Sequence, residues 1–600
     1  MTTSDSIRST SLPKIAGTVL ALVVLLNLHR YIGINHDAAL YLGQALLERW
    51  PAIFSQDLFF AHGSQGSYTL LPWLISMAFD VANPGTVFLI GSLLGLLAFA
   101  MACWFFISGL LPPQQRYWAF LGALCLPSAY GVVRIFSYAE PFLTPRPLAE
   151  AFCLLGLGLL ARKRLTLGVL CAFAAGVLHP LQAIAACLVA WPWLILNDRR
   201  WLHAAWLAIP IALLGLSNLR PFAELFHPID PHWLQVLREV TGQLFISGWH
   251  AADFSVLGVD VLLLVYAWRA LPGGFGPWCL SALFGLALGF GLNAILVDWL
   301  HLTLPAQLQL WRVHWIAHLL AMASVAALLY RDFKAGEFAR GLCLGLGLLL
   351  AQSTVWIWPL FALLYALWPR LFGNSSSRIK PLLGTLFLLG MLALLGLYAA
   401  NEWLLFRMAH YRLDLYAIDR RLLIFPLLAL GLPLLGIWMW ERSSAWARWL
   451  LLCGVLTPLL AIGAARWDAR SPMALAVESG RLHANLFGPE IPRDAQVFWV
   501  SDLYPSVWLV LHRAEYFSVR QMAGVVFNRG TAMEANHRLD RITLAIREDL
   551  YCKSLPLAKR EQCQLDDDAM RTACQPGPTR RPDYMVLPYR QPQHPLGHWD

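Results

Sequence analysis

A chain of 600 residues would ordinarily hold several soluble domains, but 58% of this one is hydrophobic and only 14% is charged, with a mean hydropathy of +0.56. That balance excludes the soluble globular class and predicts a mainly α, polytopic helical membrane protein. The formal charge of +9 is modest for the length and its arginines fall in short connections between apolar runs, a positive-inside bias and not a nucleic-acid surface.

The first apolar run, Ile15 to Tyr31, has no small-residue cleavage site ahead of the polar loop that follows. It reads as an uncleaved first span with the N-terminus cytoplasmic. The stretch Asn35 to Tyr68, NHDAALYLGQALLERWPAIFSQDLFFAHGSQGSY, is then the first outer loop. Leu40, Leu42, Leu46 and Leu47, then Ile53, Phe54, Leu58 and Phe59, recur at roughly helical spacing, which predicts two short amphipathic helices at the membrane surface, broken at Pro51. Further apolar runs recur to Ala464 and amount to about 14 to 15 spans. Arg162 to Arg164, Arg199, Arg200, Arg331, Arg370 and Arg442 then lie inside, and a second long outer loop runs from 218 to 254.

From Arg466 the apolar runs shorten to strand length. Residues 1–465 read as a transmembrane domain and 466–600 as a small extracytoplasmic α/β or α+β soluble domain, with strands at Gln496 to Val500 and Tyr584 to Leu587 and a helix at Met533 to Glu548. Its three cysteines, Cys552, Cys563 and Cys574, are odd in number, so at least one has no partner within that tail. The other cysteines sit in apolar segments as packing residues.

Asp37 stands just beyond the first span, ahead of a helix that would hold it still. A carboxylate there serves as general base for an acceptor hydroxyl or amine, or as a ligand to a divalent cation, and its structural alternative is a helix N-cap. Asp57 is the candidate second acid, or a solvated loop acid, and His62 a phosphate or sugar contact, or a polar turn residue beside Gly63. The loop RIFSYAEPFLTPRPLAEA places Arg134, Glu140, Arg146 and Glu150 on the side of Asp37. Pro145 and Pro147 stiffen the backbone around Arg146, whose guanidinium suits a phosphate, while Glu150 is positioned to pair with it at i to i+4. His179, ahead of Pro180, and the group Gln309, Arg312 and His314 bring polar side chains to membrane depth. An unpaired charge at Arg312 would be costly there, so its partner is a phosphate or one of the acids, unless it snorkels past Trp311 and Trp315. No P-loop, dinucleotide glycine pattern, HExxH or nucleophile elbow occurs, which argues against ATP-driven transport and serine hydrolysis.

On this plan, a first span followed by a large outer loop opening at His36 and Asp37, many further spans and a C-terminal module, the chain resembles the GT-C superfamily of polyprenyl-phosphate-sugar-dependent glycosyltransferases and related bacterial membrane proteins. His36 and Asp37 stand where many members carry two acids. The resemblance implies inverting transfer of a sugar from a lipid-linked sugar donor to an acceptor on the outer face of a bacterial inner membrane. It makes Asp37 the base and Asp57 its partner, the two being the ligands of any Mg or Mn ion, with Arg146 and Arg312 stabilising the departing phosphate. The alternatives are a transporter or flippase of lipid-linked saccharide and a non-catalytic envelope assembly protein. Transport, the runner-up, is weaker than the transferase reading because the candidate polar residues cluster at the outer side and internal repeats and midplane breaks are not evident in the sequence.

Overall fold

The computed structural model describes residues 3–600 except 218, 220, 272, 353–355, 374–377, 414, 480–485, 501, 561–562, 578, 589–595 and 597–600. The chain is mainly helical. Seven helices among the described residues are long and apolar enough to cross a membrane: Pro84–Ser108, Pro180–Asn197, Ala251–Ala270, Phe275–Trp299, Thr303–Lys334, Ile379–Met408 and Ala445–Ala465. Leu12–Leu28, Leu165–Leu178 and Phe338–Gln352 are apolar but shorter. The larger number expected from apolar runs therefore does not translate into as many full-length helices. Some runs become helices of only 13 or 15 residues, Pro113–Cys125 and Trp358–Phe372. Another, 202–217, is a 3-10 stretch, Arg199–Leu207, running into an eight-residue helix, Ala208–Gly215.

The axis of the bundle is the helix His314–Lys334, in which every residue from His314 to Leu328 is buried. A helix apolar all round belongs at the centre of a bundle. Its alanines let neighbours come close: a Cβ on Gly122 would meet the carbonyl oxygen of Met322 at 2.6 Å, so the helix Pro113–Cys125 packs there only because residue 122 has no side chain. Around this axis, leucines such as Leu386, Leu389 and Leu397 on Ile379–Met408 remain exposed, as lipid-facing positions would.

The first loop breaks at Pro51 as its sequence predicts, into Asp37–Arg49 and Pro51–Phe54. The first of these helices is not a surface element, since Ala38 to Leu46 are all buried. It lies under the C-terminal region, where Gly43 leaves room for the indole of Trp508: an added Cβ would sit 2.8 Å from that ring. The predicted strands form as Gln496–Trp499 and Tyr584–Val586, paired in parallel, with Ala514–Glu515 on the other edge of Gln496–Trp499. The predicted helix extends to Arg529–Ser554. Cys552 and Cys563 form a disulfide, and Cys574 is free.

Asp57 joins the first loop to this region. Its Oδ1 accepts from the Phe59 backbone N–H (2.9 Å) and Gln521 Nε2 (2.7 Å), and its Oδ2 from Trp508 Nε1 (2.8 Å) and the Glu515 backbone N–H (2.8 Å). The second long loop reaches the same region through Trp233 Nε1 on the Val525 carbonyl (2.8 Å) and Arg529 on Asp230 (2.6 Å). Residues 35–68, the 227–249 segment and the C-terminal region thus share one end of the helical body.

Replacing Asp57 with Ala strands four N–H donors in a fully buried site, each worth about 1–3 kcal/mol when unsatisfied. D57A should lower the thermal midpoint of the detergent-solubilised protein and expose residues 496–554 to limited proteolysis. An unchanged midpoint and digestion pattern would refute this role.

Candidate functional site

Asp37 opens the helix Asp37–Arg49 as its first residue, and His36 precedes it at φ 50°, a left-handed value that costs a non-glycine residue about 1–3 kcal/mol. The N-cap alternative is not realised: His36 occupies the cap, with no side-chain capping bond. Asp37 instead points to Arg146, whose Nη1 donates to its Oδ2 at 2.7 Å, while His36 Nδ1 lies 3.1 Å from its Oδ1.

Arg146 is 2% exposed. Thr144 caps the helix Pro145–Ala161, its Oγ1 accepting from the Arg146 backbone N–H (3.3 Å) and donating to Glu140 (3.0 Å). The guanidinium donates to Glu140 through Nε (2.9 Å), brings Nη2 to 2.8 Å from the other carboxylate oxygen without a hydrogen bond, and stacks over the Phe136 ring at 5.1 Å. The i to i+4 pairing with Glu150 does not occur. Glu150 accepts instead from Gln182 Nε2 (2.6 Å) and from the backbone N–H of Ala139 (3.1 Å), fixing a second positive-φ residue (52°). The turn between Glu140 and Arg146 brings the nearer acid to the guanidinium first.

Arg312 enters from the start of the central helix. Gln309, left-handed at φ 49°, ends the preceding helix and turns its side chain so that Oε1 accepts from Arg312 Nε at 2.9 Å. The guanidinium lies 3.9 Å from the centre of the Phe136 ring, so Phe136 is flanked by both arginines. Arg312 is 5% exposed, makes no ion pair among the described residues, and its Nη1 has no hydrogen-bond partner. It lies near Tyr41 and Tyr130 and close enough to Arg146 and Asp37 to feel their charges, as His179 is to Arg312 and Arg146. Other buried polar atoms in this neighbourhood also have no hydrogen-bond partner, among them Arg146 Nη2, His179 Nδ1, Gln182 Oε1 and the Tyr130 hydroxyl.

Seven of the residues singled out in the sequence, Asp37, Glu140, Arg146, Glu150, His179, Gln309 and Arg312, therefore belong to one polar cluster. Asp57 does not: its four bonds commit both oxygens to the C-terminal region. Nor does His62, an exposed residue whose carbonyl accepts from Asn528 Nδ2 (2.6 Å). Asp37 and Asp57 thus do not share a cation site, because each spends its oxygens on different nitrogen donors. Tyr41, Tyr130 and Gln182 were not singled out in the sequence. Gln182, a lone amide in an apolar helix one turn after His179, carried a readable signal, whereas the two tyrosines resemble ordinary interface anchors.

Burial works against ionisation of Asp37, but the Arg146 guanidinium and the His36 ring outweigh it and hold the carboxyl far below the usual carboxylate range. The same hydrogen bond to Asp37 raises His36 above its ordinary value, against a smaller opposing effect of burial. No protein-family model, curated protein or solved structure matches the chain.

Arg146→Ala leaves Glu140 buried without its counter-charge and should destabilise the protein by about 3–5 kcal/mol, with Glu140→Gln in the same chain restoring much of the loss. Thermal midpoints of the single and double variants test this, and a double variant no better than R146A would contradict it. The His36 contribution has the opposite pH sense from that of an acid. A raised folded pKa gives stability that is complete below about pH 6.5 and is lost as pH climbs through the folded value. The wild-type midpoint should fall more steeply over that interval than that of H36Q; parallel curves would remove the pair from consideration.

Proposed function

We propose that the protein is a membrane glycosyltransferase of the GT-C type, moving a sugar from a polyprenyl-phosphate carrier to an acceptor hydroxyl or amine at the end of the bundle that carries the loops. The observation that carries this reading is Arg312, a guanidinium 5% exposed with no carboxylate paired to it among the described residues and one nitrogen free. A buried cation of this kind calls for an anion, and a phosphate offers the oxygens that the free nitrogen, the Tyr130 hydroxyl and His179 are placed to meet.

Asp37 is the group for the acceptor. Arg146 and His36 keep it ionised, so it is a weak base in the ground state and suits a reaction in which the proton moves only as the new bond forms. The acceptor oxygen or nitrogen bonds to the anomeric carbon and passes its proton to Asp37, from which His36 can relay it outward. The bond from that carbon to the carrier phosphate breaks, and the phosphate keeps the electron pair opposite Arg312. Glu140 holds Arg146, and Glu150 holds Gln182 and the Ala139 N–H beside it. A bacterial inner membrane, with the loops and the C-terminal region on the outer side, is supported by the arginine-rich connections and by the Cys552–Cys563 disulfide, which favours an oxidising compartment.

In nanodiscs supplied with a labelled polyprenyl-phosphate sugar, D37N should retain the carrier and lose transfer by about 10²–10⁴-fold. R312Q should lose carrier retention as well. Transfer by D37N at the wild-type rate, or equal carrier binding by R312Q, would sink the reading. Movement of carrier between leaflets without transfer would favour a flippase.

A further inference from the structure

A second group of ionisable side chains is buried beside this cluster and takes no part in the proposed transfer. Asp260 comes from the helix Ala251–Ala270, and His314 and His318 from one face of the central helix at i and i+4. Asp260 Oδ2 lies 2.8 Å from His314 Nε2 and 2.8 Å from His318 Nδ1, and the three potential ligand atoms are all within 4.8 Å of one another. None of the three residues is more than 3% exposed.

Hydrogen bonding alone accounts poorly for this arrangement. His318 faces Asp260 with Nδ1 and the Pro127 carbonyl with Nε2, the latter at 2.8 Å. Both contacts are satisfied only if the imidazole carries two protons or the acid carries one. In either case Asp260 Oδ1 is left buried with no partner. An unpaired buried oxygen of this sort costs about 1–3 kcal/mol. A divalent cation relieves the carboxylate: it takes the lone pairs of His314 Nε2 and His318 Nδ1 and can take the second carboxylate oxygen, while the proton of His314 then sits on Nδ1, a buried atom without a partner. His318 Nε2–H then donates to Pro127, the outer contact that commonly orients a metal-binding imidazole.

We propose that Asp260, His314 and His318 bind a first-row divalent cation, zinc foremost, joining the helix Ala251–Ala270 to the central helix. Two imidazole nitrogens and a carboxylate suit zinc better than magnesium or calcium, which prefer all-oxygen sites. The site is separate from the acids Asp37 and Asp57. It adjoins the phosphate-binding cluster through Tyr130, whose ring centre is 5.9 Å from that of His314 and whose hydroxyl is unpartnered. It does not rest on the transferase reading, because its ligands and its measurement are independent of Arg312 and of transfer activity.

The test is elemental analysis of the full-length, tag-free protein, grown with added zinc and passed through size exclusion in metal-depleted buffer. About one zinc per chain is expected in the wild type, falling at least about tenfold in a monodisperse H314Q/H318Q variant. Wild type free of bound metal would overturn the proposal whether or not the variant folds, and equal zinc in wild type and variant would do the same. Cobalt-loaded wild type gives a second measurement should the double variant not survive purification. Intense visible bands from a low-coordinate nitrogen and oxygen site support the assignment, and the weak bands of hydrated cobalt contradict it.

Discussion

A guanidinium removed from water must be given back its hydrogen bonds and its counter-charge by the protein, and the fold around the candidate site is organised by how that is done for Arg146. Glu140 supplies two oxygens and Asp37 a third, so one side chain ties the start of the helix Pro145–Ala161 to the opening of the first loop. Removing either acid alone would leave charge unbalanced in a place of low dielectric. The positive φ values at His36 and Ala139 are the local consequence: the backbone bends so that Asp37 reaches Arg146 and Glu150 reaches the Ala139 N–H.

Arg312 provides the contrast. It shares the Phe136 ring with Arg146 and is almost as buried, yet Gln309 gives it only a neutral acceptor. Two arginines a ring apart repel, and two acids have already been spent on one of them. The remaining positive charge sets Arg312 apart from arginines of the bundle that meet a carboxylate. Arg331, Asp332 and Tyr365, for example, form a closed set, with Arg331 Nη2 on Asp332 (2.6 Å) and the Tyr365 hydroxyl on the same acid (2.9 Å).

The C-terminal region acts as a cover held from two directions. Asp57 and Trp508 fasten it to the first loop, and Trp233 and Asp230 fasten it to the second. The Asp57, Trp508 and Trp233 fastenings use buried polar atoms, while Asp230 meets Arg529 in a more exposed ion pair, so the arrangement of the two loops over the bundle is specified by directional bonds as well as by apolar packing. The helix Asp37–Arg49 is buried beneath this cover, which keeps its first residue in one orientation.

The sequence by itself determined the membrane class, the break at Pro51, the two principal strands after Arg466 and most of the polar residues that gather at the site. Each follows from a property local to the chain: apolar run length, the missing N–H of proline, β-branched and aromatic runs between turns, and the rarity of charge in apolar segments. Only the tertiary structure decided which acid each arginine meets. Glu150 sits at the helical spacing for Arg146, but the turn from Glu140 delivers its carboxylate sooner, and Gln182 from another helix claims Glu150. It also decided that Asp57 is a fastening set apart from Asp37, because its four donors come chiefly from residues more than four hundred positions away. The same holds for Asp260 with His314 and His318: His314 was singled out but His318, one turn on, was not, and the carboxylate between them belongs to a helix that the sequence could not place beside them. Hydrogen-bond partners at that separation are set by how helices pack, and packing depends on the whole chain at once.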